Sequence, residues 1–144
     1  MVETVKTPWH LWAVGVLALL WNGFGCVDFV MSTTQAETWL AQMGMTEAQI
    51  AYFNSMPAWT FVAWGVGVFG GAIGAILLLV RRQWAFAVFV LSFLGWLASV
   101  VYAFLLSDGM AAMGEHWPMQ FVIGAVCLFL VWYAWRSKTR GVLR

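Results

Sequence analysis

Four apolar stretches, roughly 9–30, 57–80, 84–106 and 117–135, leave this chain few ways to fold. Each is long enough to cross about 30 Å of hydrocarbon as a helix. A helix satisfies its own backbone N–H and C=O groups, as a chain at lipid depth must. The charges between the stretches set the orientation. All seven basic residues, Lys6, Arg81, Arg82, Arg136, Lys138, Arg140 and Arg144, can lie on one side of a membrane. Five of the six acids, Asp28, Glu37, Glu47, Asp108 and Glu115, fall on the opposite side or at its edge. Basic residues stay on the cytoplasmic face, so the expected topology has both termini and the 81–83 turn inside.

With 63% hydrophobic and 9% charged residues, the chain is far from the roughly 25% charged of a soluble domain. Its 144 residues read as a single membrane domain with little left over for a soluble catalytic module. The expected fold is all-α: an integral membrane four-helix up-down bundle, with short extracytoplasmic helices between spans 1 and 2 and a cytoplasmic basic tail over 136–144. That tail reads first as an orientation signal, and second as a contact for anionic headgroups. The first 30 residues resemble a secretory signal, but the apolar run is too long and lacks a small-x-small cleavage site before Asp28. They read as a retained span.

Pro8 suits the first turn of span one, with Trp9 and Trp12 as interfacial anchors. Residues 32–56 contain no Lys or Arg and form the one sizeable extramembrane segment. Two capping-box patterns, Thr34-Gln-Ala-Glu37 and Thr46-Glu-Ala-Gln49, predict short helices over about 34–43 and 46–55, with Gly44 between them as a C-cap. Span two starts at Pro57. Arg81, Arg82 and Gln83 leave only a tight turn before span three. An Asp near the outer end of each in–out span (Asp28, Asp108) and a Pro opening each out–in span (Pro57, Pro118) form a weak internal echo, most of which orientation rules alone produce.

Span two carries the densest pattern. Gly67 and Gly71, Gly70 and Gly74, and Gly71 and Ala75 repeat at four, a stripe that lets another backbone approach closely. Span three supplies Ser92, Gly95 and Ser99 on one face. Helix packing through Gly67, Gly70, Gly71, Gly74 and Gly95 is therefore expected. The glycines exceed the needs of one contact, which leaves a second face for a neighbouring subunit or partner helix.

Few residues offer chemistry. Asp28 lies at the outer end of span one on the face of Trp21, Phe24 and Gly25; it reads either as a solvated helix-end carboxylate or as a proton or cation site. Asn22, deeper by about 9 Å at 1.5 Å per residue, must hydrogen-bond to backbone or to Ser92 or Ser99. Together Asp28, Asn22, Trp21, Ser92 and Ser99 form the candidate proton or solute site. Glu115 and His116 form an outer polar cluster. His10 belongs to the other face, so neither a metal site nor bis-His haem ligation is expected, and no other cofactor is implied. Cys26 and Cys127 differ in depth and read as packing residues rather than a disulfide. No Ser-His-Asp grouping can be assembled, which makes an enzyme the weakest class.

The motifs Trp21-Asn22-x-x-Gly25-x-x-Asp28, Pro57-x-Trp59, Gly70-Gly71-x-x-Gly74, Leu77-Leu78-Leu79-x-Arg81-Arg82 and Trp84-Ala85 resemble a group of small uncharacterised four-span bacterial inner-membrane proteins. Some of these are labelled sugar transporters. The resemblance covers about residues 9–106 and implies a bacterial inner-membrane location. The spans lack the set of Gln, Asn and Glu that a sugar site needs, so the activity is not carried over. Small multidrug exporters also have four spans, but their mid-membrane Glu has no counterpart between Gly15 and Leu20. The expected function is a non-enzymatic accessory or self-associating subunit packing through glycine-rich faces. Its partners are the lipid bilayer and copies of itself or a larger membrane complex, with no nucleic acid. The alternative is a small-solute or proton-coupled transporter acting as an oligomer.

Overall fold

The computed structural model describes residues 6–107 and 118–144. All regular structure among them is helical: α1 (Trp9–Thr34), α2 (Ala36–Gln42), α3 (Glu47–Ser55), α4 (Ala58–Leu79), α5 (Trp84–Val101), a π-helical extension of α5 (Tyr102–Leu106), and α6 (Met119–Thr139). Four of these, with α5 counted through Leu106, are long and apolar enough to cross a membrane. Only 17–22% of the most apolar stretch of each is buried. The outward surface, with Leu17, Leu20, Val62 and Leu105 all about two-thirds exposed or more, is far more apolar than water tolerates.

The punctuation is local chemistry. Pro8, Pro57 and Pro118 each occupy the N-cap position of a long helix, one place earlier than the first-turn position expected for Pro8. Each proline carbonyl accepts from the N–H three residues on, Leu11, Thr60 and Phe121. A proline there sacrifices no helical donor.

Three segments end in the same way, with the first residue past the cap in left-handed backbone: Gly44 (φ 85°), Arg81 (φ 60°) and Gly141 (φ 75°). In each the next N–H reaches back five residues, Met45 to Leu40, Arg82 to Leu77 and Val142 to Ser137, which is the Schellman closure.

Two boundaries differ from the sequence reading. The Thr34 capping box does not form. Helix α1 continues to Thr34, whose hydroxyl bonds back to the Val30 carbonyl at 2.6 Å, and α2 begins after Gln35 without a side-chain cap. The Thr46 box forms in full. Helix α6 runs four residues beyond the expected 135, so the basic tail is helical through Thr139.

Packing follows the glycines. Along α1 and α4 the contacts pair Gly15 with Leu79, Asn22 with Gly71, Gly25 with Val68 and Phe29 with Gly65. Along α4 and α5 they pair Gly74 with Phe89, Gly70 with Ser92, and Gly95 with Ala63 and Gly67. Helix α6 meets α5 through Gly124 on Trp96, Phe121 on Phe104 and Lys138 on Phe86. The α4–α5 contact is the most extensive, followed by α1–α4 and α5–α6. The buried cluster of Leu11, Ala18, Ala75, Leu78, Phe89, Leu130 and Tyr133 lies toward the end carrying the basic residues.

Candidate functional site

At the end away from the basic residues, α2 and α3 are tied to the long helices at two points. Asp28 Oδ1 accepts from Trp39 Nε1 at 2.7 Å and from Ser32 Oγ at 3.2 Å. Ser32 is buried and Asp28 partly so. The helical step from 28 to 32 places the serine over the carboxylate, and the short loop after α1 returns Trp39 to the same oxygen.

The second tie is Tyr52 Oη to Ser107 Oγ, 2.6 Å apart. Ser107 lies past the π-helical turn and reaches the Tyr102 carbonyl at 3.0 Å. Edge-on rings reinforce this side, with Phe53 against Phe61 and Trp64. Between the ties is a shallow hollow of about 300 Å³ lined by Ser32, Thr33, Ala36, Phe53, Asn54 and Phe61.

The other members of the candidate proton or solute site do not converge on Asp28. Asn22 is buried and donates to the Ala18 carbonyl at 2.9 Å, with its amide lying over Gly71. Ser92 donates across to the Gly67 carbonyl at 2.6 Å, and Ser99 to the Gly95 carbonyl of its own helix at 3.1 Å. Neither serine partners Asn22. Trp21 is exposed, away from the core. Glu115 and His116, the outer polar cluster, lie outside the described residues, as does Asp108. Cys26 and Cys127 are free thiols.

The expected packing glycines all find contacts within the chain. Gly67, Gly70 and Gly74 face α5, and Gly95 returns that contact from the α5 side. Gly71 faces Asn22 on α1. The second face of the stripe is thus occupied by α1 rather than left open. Gly15 and Gly124, not singled out by their spacing, are equally close contacts, to Leu79 and Trp96. The Trp96 Nε1 atom is buried without a hydrogen-bond partner.

The basic end holds an arrangement that charge patterning alone does not reveal. Beyond α6, Val142 and Leu143 are buried. Arg144 N–H donates to the Arg81 carbonyl, and Gln83 N–H to the Arg144 carbonyl, both at 2.8 Å. Arg81 Nε adds a bond to the Val142 carbonyl at 3.0 Å. The tail is therefore docked on the α4–α5 turn. Nearby, His10 on α1 is hydrogen-bonded to the Tyr133 hydroxyl on α6. Lys138 lies over Phe86 and Arg136 over Trp132, as cations do on ring faces. Against known proteins, the chain matches no family model, no curated protein and no solved structure.

Proposed function

We propose that this chain is a non-enzymatic accessory subunit of a bacterial inner membrane, associated with copies of itself or with a larger membrane complex. In this reading the four long helices form an up-down bundle with both termini cytoplasmic and α2–α3 outside. The orientation rests on the positive-inside rule, since the 81–83 turn and the tail that docks on it carry most of the basic residues. The observation that carries the accessory reading is the dispersal of the polar side chains. Asn22, Ser92 and Ser99 are each engaged with a nearby backbone carbonyl, while Asp28 secures Trp39 and Ser32. Each makes its hydrogen bond within the fold, and they do not converge on one point. What remains toward the surroundings is apolar: Leu17, Leu20 and Phe24 on α1, and Leu128, Phe129 and Trp132 on α6.

The test is the intact mass of the protein extracted from its native membrane in mild detergent. A defined assembly of several chains, of one or more kinds, supports the reading. A single chain carrying lipid alone overturns it.

A second reading, a small-solute or proton-coupled transporter acting as an oligomer, draws on the hollow beside Ser32, which also bonds Asp28. In proteoliposomes it requires a proton or solute flux that Asp28→Asn abolishes. Flux unchanged by that substitution removes Asp28 from any such mechanism.

A further inference from the structure

We infer that the docked tail and the α4–α5 turn together form a binding site for the phosphodiester headgroup of an anionic phospholipid. A hollow of about 260 Å³ is lined by Val80, Arg81, Arg82 and Arg144. Two chain segments far apart in sequence build it, and the two backbone bonds between Arg144 and residues 81 and 83 hold them in register. Arg81 is the fixed element: its backbone is left-handed at φ 60° and its Nε is committed to the Val142 carbonyl. Arg82 and Arg144 are exposed at the rim. Guanidinium groups suit phosphate because their planar donors match two of its oxygens at once.

Charge balance points the same way. The described acidic side chains, Asp28, Glu37 and Glu47, belong to the other end of the chain's fold. Basic residues concentrated at a membrane interface draw anionic headgroups.

The apolar surroundings favour a lipid over a free phosphate. Val80 is 59% exposed and Trp84 68% exposed; they flank the arginines, and they offer an acyl chain and its glycerol region the surface they need. This site rests on the interfacial placement of the basic end, and does not depend on the accessory role.

Native mass spectrometry of the detergent-solubilised full chain, titrated with phosphatidylglycerol, tests it. Phosphatidylcholine is the zwitterionic control and inorganic phosphate the competitor. The expected result is saturable retention of phosphatidylglycerol over phosphatidylcholine. It should weaken about thirty-fold in the double variant Arg82→Gln/Arg144→Gln, taking two basic residues at the usual increment. The pair Arg136→Gln/Lys138→Gln should leave it within about threefold, because those side chains lie over aromatic rings outside the hollow.

Equal retention of both lipids, or retention unchanged in the double variant, overturns the proposal. Displacement by millimolar phosphate as effective as by lipid would also overturn it, in favour of a free-phosphate site. Both variants keep the backbone bonds of the docked tail, and a thermal melt matching the parent shows that loss of lipid is not loss of fold. Cysteine labelling of the 81–83 turn from either side of the membrane is a separate readout. It distinguishes failure of this site from failure of the proposed orientation.

Discussion

Replacing Gly95 with alanine should damage the bundle more than any other single-methyl change in the glycine stripe. A Cβ at Gly95 would lie 2.6 Å from the Ala63 carbonyl oxygen and 2.9 Å from the Gly67 nitrogen. Both are backbone atoms of α4, so no side chain can rotate away. Ordinary contact begins at 3.4 Å, and α4 and α5 must therefore part locally by about 0.8 Å. A gap of that size forfeits a quarter to a half of the dispersion attraction at each contact. Over about twenty atom pairs at ~0.15 kcal/mol each, that is about 1 kcal/mol. The Ser92–Gly67 hydrogen bond lies one turn away and stretches with it, adding about 1 kcal/mol. The expected loss of about 2 kcal/mol falls inside the usual range for overpacking. Alanine's better helix propensity returns little, because the unfolded state in a micelle keeps its helices.

Gly67→Ala is the matched control. Its Cβ would meet its nearest neighbours at 3.6 and 3.7 Å, and the change should stay within about 0.5 kcal/mol. Unfolding by SDS in mixed micelles, followed by tryptophan fluorescence, measures both. Equal stabilities for the two variants would refute the close backbone approach.

Gly71→Ala collides with the Asn22 amide, a side chain that can move only by giving up its bond to Ala18. The Asn22→Ala background should remove most of that cost, and a double-mutant cycle in the same assay should show a coupling of about 1 kcal/mol or more. At the other end, Asp28→Ala removes the acceptor for Trp39 and should raise hydrogen exchange across α2 and α3 about tenfold, the low end for a bond to a charged group. Asp28→Asn keeps a carbonyl oxygen for the indole and should leave exchange near the parent rate. Arg81→Gly relieves left-handed strain of about 1 kcal/mol while deleting a hydrogen bond of similar size. Global stability should hardly change, yet the amide of Arg144 should exchange faster because the tail loses its side-chain tether.

What was legible in the sequence was whatever local chemistry decides. Apolar runs gave the long helices, prolines marked their starts, Gly44 closed α2, and Thr46 with Gln49 opened α3. Where two local options competed, the sequence was silent on the winner. Thr34 has the residues of a capping box, but Thr33 and Thr34 both bond back to α1 carbonyls. The helix therefore runs on to Thr34, which no spacing revealed. The glycine stripe announced close approach without saying by whom. Its surplus suggested an outside partner, whereas Asn22 on α1 takes the face that α5 leaves. The Asp28–Trp39 bond depends on how the chain turns at Gln35. A readable signal was missed at the tail, where two apolar residues, Val142 and Leu143, follow a basic run with a glycine between. That pattern suits a strand of chain returning to the core better than one trailing in solvent.

The packing of the four long helices narrows where a partner can bind. Helix α4 is enclosed on its glycine faces by α1 and α5, and α5 is shared between α4 and α6. Neither offers a flat stripe to a newcomer without displacing a neighbour. Helices α1 and α6 each have one such neighbour along most of their length, and they meet each other through His10 and Tyr133 at the basic end. Their free faces are made of Leu17, Leu20, Phe24 and Val27 on one side, and Leu128, Phe129 and Trp132 on the other. Large apolar side chains of this kind pack against lipid and protein alike, since no hydrophobic gain separates the two inside a bilayer. Association there must come from shape and interfacial aromatics rather than from close glycine contact. An assembly of this chain would therefore be built on weaker and more adaptable contacts than those that hold its own helices together.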